Sequence, residues 1–75
     1  MEYEEILNKA SAVIAENDEQ MSYWIECYTK AHDNRDEKLA TVCWEQVRYY
    51  NTMNAGIYKL LKAMESCRLS KVFTA

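Results

Sequence analysis

Cys27, His32, Cys43 and Cys67 are the side chains of this sequence best suited to ligate a metal or to act as nucleophiles. A zinc site needs four ligands within about 2.3 Å of one point. Cys43 and Cys67 on one helix would stand about 36 Å apart, so only Cys27, His32 and Cys43 can share an end of the molecule. A cysteine–histidine nucleophile also needs an orienting third group, and the spacing supplies none. The thiols therefore read as small packing groups, and His32 reads as a cation at the carbonyl end of a helix. Glu2, Glu4, Glu5, Glu16, Asp18, Glu19, Asp36 and Glu37 fall in first turns or on solvated faces rather than as a catalytic pair. Gly56 is the only glycine, which excludes a glycine-rich phosphate loop. No catalytic residue, metal ligand or cofactor is assigned, and the chain is expected to be non-enzymatic.

Two other groups of residues carry information. Asn17 interrupts an apolar stripe, and Gln46, Asn51 and Asn54 are polar positions on or near the facing stripe. Amides buried in a helical seam specify register and oligomeric state at a cost in stability. Aromatic residues make up 12% of the chain. Trp24, Tyr28 and Tyr50 fall on the stripes, whereas Tyr23, Trp44, Tyr49 and Tyr58 fall on or beside the flanks, and tyrosine and tryptophan are enriched at binding hot spots. These four, with Arg48, are the candidate partner-binding residues.

The elements that must position these groups are helices. From Leu7, a spacing of three and four picks out Ala10, Ile14, Asn17, Met21, Trp24, Tyr28 and Ala31. From Leu39, the same spacing picks out Cys43, Gln46, Tyr50, Met53, Ile57, Leu60, Met64 and Cys67. The sequence predicts a helix over 2–32, a loop at 33–35, a second helix over 36–68 and a tail at 69–75. Asn34 and Glu37 have the spacing of a capping box for the second helix. A short connection makes antiparallel neighbours, and folding about it sets Trp24 near Trp44, Leu7 near Leu61 and Asn17 near Asn51, with Asn54 close by. Glu2, Glu4 and Glu5 then meet the end that carries Lys62, Arg68 and Lys71, each set complementing its own helix dipole.

The apolar face of the second helix is wider than one seam requires. Val42, Val47, Tyr50, Ile57 and Leu61 form a candidate oligomer interface, and a face that broad contacts more than one helix. The fold class is all-α: an antiparallel helical hairpin that dimerises into a four-helix bundle. Breaks near Asn17 and at Asn54 to Gly56 would instead give a three- or four-helix bundle. Val72 and Phe73 in the tail are expected to fray or to dock onto the bundle.

Composition limits the function. The 75 residues form one domain without proline, 49% of them apolar, with a net charge of −3. That balance gives no basic face for nucleic acid, and no apolar run approaches the roughly 20 residues of a membrane span. Three cysteines and no recognisable signal segment fit a reducing, cytoplasmic setting. The expected function is a protein–protein interaction module, a homo-oligomer that also meets another protein as regulator, adaptor or inhibitor through a helix face. The alternative is a small-molecule binder, for instance a nucleotide-sequestering oligomer that uses tyrosines and Arg48.

Overall fold

The computed structural model describes the backbone of residues 2–74 and the side chains of residues 2–68. It consists of two helices packed against each other, α1 (Tyr3–Asp33) and α2 (Glu37–Thr74). Both helices run unbroken, α1 through Asn17 and α2 through Gly56, so the hairpin is the architecture and the more fragmented bundle is not. Helix formers and seam residues on either side carry α2 across its glycine, whose penalty is about 1 kcal/mol relative to alanine. The backbone of α2 stays helical to Thr74, past the end expected at 68. The docking of Val72 and Phe73 falls outside the described side chains.

The turn departs from expectation in an instructive way. Asp36, not Asn34, caps α2: the Leu39 amide donates to Asp36 Oδ1 at 3.2 Å, and the Ala40 amide donates to the Asp36 carbonyl at 2.9 Å. Asn34 instead ends α1, its amide donating to the Lys30 carbonyl at 3.0 Å. The Arg35 amide reaches the His32 carbonyl and the Asp36 amide reaches the Ala31 carbonyl, a pattern that requires a left-handed residue just past the helix end. Arg35 takes that conformation, with φ of 59°. A non-glycine residue there costs roughly 1–2 kcal/mol, partly offset because glycine has more freedom to lose on folding. Arg35→Gly is therefore expected to raise stability by up to about 1 kcal/mol in urea unfolding. A loss of stability would mean that the arginine side chain holds the turn.

The α1 seam falls largely where the spacing places it. Ala10, Ile14, Met21, Trp24 and Tyr28 are half-buried, and Asn17 and Ala31 are buried. Leu7, at 36% exposure, cedes its place to half-buried Ile6. On α2, Cys43, Tyr50, Ile57 and Met64 pack as expected, but Ala40, Val47, Asn54 and Leu61 alternate with them in place of Leu39, Gln46, Met53 and Leu60. The two stripes share every second member and differ by one residue at the others. Selecting the second stripe slides the helices by about one turn. Of the two amides expected near Asn17, Asn54 meets it and Asn51 does not, Trp44 lies against Tyr28 instead of Trp24, and the Arg68 guanidinium sits 4.9 Å above the Tyr3 ring.

The hairpin is long and thin, measuring 61 × 17 × 14 Å with a radius of gyration of 17.4 Å. A compact chain of this length would have a radius near 11 Å. With only two helices, every residue lies close to solvent. Among the described residues, the buried apolar side chains are Ala31, Ala40, Cys43 and Val47. All are small or medium and all lie in the half of the hairpin nearest the turn, where the helices can approach closely.

Candidate functional site

Three groupings emerge from the packed helices. The first is the polar middle. Asn17 and Asn54 are 6% and 5% exposed, and Asn17 Nδ2 donates to Asn54 Oδ1 at 2.8 Å. Asn54 Nδ2 in turn donates to Asp18 Oδ1 at 3.0 Å. The chain of donors runs from one helix to the other and back, ending on a carboxylate at the solvent edge. Hydrogen bonds that reach a charged acceptor are the stronger kind. Asn51 is exposed and Gln46 is half-buried, so of the polar positions read from the sequence the structure joins Asn17 and Asn54 alone and adds Asp18.

The second grouping is the thiol end. Cys43 is fully buried, Cys27 half-buried and Cys67 exposed, all as free thiols. Burial pushes the Cys43 thiol above its ordinary value of 9.0, and Cys27 and Asp36 nearby add to the rise. A hydrogen bond with Cys27 pushes the exposed Tyr23 hydroxyl above its ordinary 10.0, helped by the proximity of both thiols. Each shift favours the protonated form, the reverse of what an activated thiolate requires. His32 lies against Tyr28, ring centroids 6.0 Å apart. Among the described residues no group of three His, Cys, Asp or Glu side chains is arranged to hold a metal ion.

The third grouping is aromatic, and the structure splits the expected partner-binding set. Trp44 packs on Tyr28 with centroids 5.3 Å apart and shares a groove with His32, Glu45 and Arg48. Tyr49 lies elsewhere on α2, edge-on to Tyr50 at 5.2 Å, beside a second shallow groove lined by Glu45, Arg48, Thr52, Met53 and Gly56. Arg48 borders both grooves. Tyr23 stacks edge-on to Trp24, whose buried indole N–H has no partner among the described residues. Tyr23, Trp44, Tyr49 and Tyr58 are all exposed, but they do not form one patch.

The expected oligomer interface is also redistributed. Val47 is buried, and Tyr50, Ile57 and Leu61 are half-buried on the α2 stripe that faces α1. Tyr50 and Ile57 belong to the hairpin seam on either stripe, and Val47 and Leu61 join them because α1 selects the Ala40–Val47–Asn54–Leu61 stripe. Val42 alone of the set remains exposed. The large residues displaced from the seam, Leu39, Met53 and Leu60, are exposed along the same helix. The spacing in the sequence contained this second stripe, read as the seam itself.

Opposite charges on the hairpin contribute little to this surface. The one ion pair among the described residues joins Lys30 to Glu26 at 3.8 Å within α1, both exposed, a geometry worth about 0.3–0.5 kcal/mol. No protein-family model, curated protein or solved structure matches this chain.

Proposed function

We propose that this protein is a non-enzymatic protein–protein interaction module, acting in the cytoplasm as a regulator, adaptor or inhibitor through the outer face of α2, and that its hairpin completes a four-helix bundle with a second chain. The observation that carries the reading is the exposed stripe of Leu39, Val42, Tyr49, Met53 and Leu60 on α2. Large apolar side chains left open to water along one helix face mark candidate protein contact surfaces. No helix among the described residues is long and apolar enough to cross a membrane, and the net charge of −3 disfavours nucleic acid. A protein surface is the occupant left by these constraints.

The groove beside Tyr49 joins Arg48 and an aromatic ring, the elements of a nucleotide site, but Glu45 lines the same groove. A carboxylate there opposes a phosphate. Tyr49→Ala separates the two readings, because the Tyr49 ring packs on neighbouring Tyr50 and its removal should leave the hairpin folded. A protein retained from source-cell extract by the parent chain and lost by the variant, with melting unmoved by a nucleotide panel, is the expected result. A nucleotide at 100 times its dissociation constant would add about 2.7 kcal/mol of stability, and that outcome would replace this reading with the small-molecule one.

A further inference from the structure

We infer that the outer stripe of α2 is covered by the α2 helix of a second copy, running antiparallel about a twofold axis close to Thr52 and Met53. The inference rests on the interaction-module reading and names the partner and its orientation. Three independent observations support it.

The first is area. The chain exposes 6213 Å², whereas a compact monomer of 8.9 kDa would expose about 4,800 Å². The surplus, roughly 1,400 Å² per chain, would bury about 2,800 Å² when two copies meet, within the range of obligate homodimers.

The second is spacing. From Leu39 to Val42, and one heptad further on from Tyr49 through Met53, Gly56 and Leu60, the exposed stripe steps at intervals of three and four, the repeat of a helix–helix seam. Gly56 lies on it, and a Cβ built there meets nothing within 4 Å. A long side chain on the partner can enter the space a glycine leaves. With the axis between Thr52 and Met53, Tyr49 of each copy faces Gly56 of the other.

The third is charge. Glu45, Thr52 and Lys59 border this stripe at intervals of one heptad. Neither Glu45 nor Lys59 has an intrachain ion partner among the described residues. An antiparallel pairing centred near Thr52 and Met53 sets Glu45 of each copy against Lys59 of the other. A parallel pairing would set Glu45 against Glu45 and Lys59 against Lys59. Isologous contacts make each favourable pair twice.

The test is the mass in solution of the full chain by light scattering across a concentration series. The parent should give twice the chain mass. Glu45→Lys or Lys59→Glu alone should weaken the dimer about tenfold, and the double variant Glu45→Lys/Lys59→Glu should recover most of the loss. Gly56→Leu should dissociate the dimer by at least about tenfold with helix content unchanged, since the monomer has room for the side chain. A chain that is monomeric at all concentrations overturns the inference. So does a dimer that keeps its affinity in Gly56→Leu, or one in which the double charge reversal fails to restore what each single reversal loses. A monomer that still holds a different protein through Tyr49 would sink this inference and leave the interaction-module reading standing, whereas loss of both would remove the two together.

Discussion

Asn17→Leu and Asn54→Leu should each melt below the parent chain, whereas the double replacement should melt at or above it. The physical asymmetry lies in what each variant leaves behind. Replacing Asn17 strips Asn54 Oδ1 of its 2.8 Å donor, and a buried acceptor without a partner costs about 1–3 kcal/mol. Replacing Asn54 removes the acceptor of Asn17 and the donor to Asp18 together, so its loss should be the larger of the two. The double variant has no orphan, and two leucines in an apolar seam replace a hydrogen-bonded amide pair at little or no net cost. Its defect should appear as lost specificity, since leucine packs against leucine in more than one register and an amide pair does not. The measurement is a double-mutant cycle on urea unfolding, with the slope recording any change in compactness. Additive effects would show that the two amides do not depend on each other for their satisfaction. A single Asn17→Leu that melts higher than the parent would show that water reaches Asn54 Oδ1 in place of the lost amide donor.

This pair also shows where the sequence was readable and where it was not. The heptad spacing, the single turn and the absence of proline were enough to specify two antiparallel helices. The polar interruption at Asn17 was enough to single out the middle of the seam. The register was not accessible to the same reading, because α2 carries two stripes that share Cys43, Tyr50, Ile57 and Met64. Hydrophobicity favours the stripe with Leu39, Met53 and Leu60, and a choice on that basis places the helices about one turn from their actual pairing. The structure takes the stripe of Ala40, Val47, Asn54 and Leu61. Asn54 supplies the acceptor that Asn17 needs, and Ala40 is short enough to let the helices close beside the turn. Both are properties of a pair of residues, not of either helix alone. The cap was misplaced for a related reason. Asn34 and Asp36 are both competent capping residues, and the left-handed Arg35 between them assigns the first to the end of α1 and the second to the start of α2. The outer surface followed from the register. The large residues left outside the seam became the exposed stripe, while Val47 and Leu61, expected at an oligomer interface, went into the hairpin's own seam.

The close approach at the turn leads to the other large effect, expected for Ala31→Leu. Ala31 is 2% exposed and lies in the last turn of α1, with Ala40 one turn into α2. Helix axes separate by 8–10 Å according to the side chains between them, and alanine at the contact allows the lower end of that range. A leucine must either leave its preferred rotamer or push the helices apart. Overpacking of this kind costs about 1–3 kcal/mol. Separation at Ala31 also acts on its surroundings, because the Ala31 carbonyl accepts the Asp36 amide at 2.9 Å and Cys43 packs in the same half of the seam. The expected loss is therefore near 2 kcal/mol or above, with the Cys43 thiol becoming accessible to alkylation. Ala55→Leu serves as the control. Ala55 is exposed on α2, leucine and alanine differ little in helix propensity, and this variant should match the parent within about 0.5 kcal/mol. If Ala31→Leu matched it as well and Cys43 stayed protected, the turn end would have slack, and the small residues there would not be what selects the stripe that α1 pairs with.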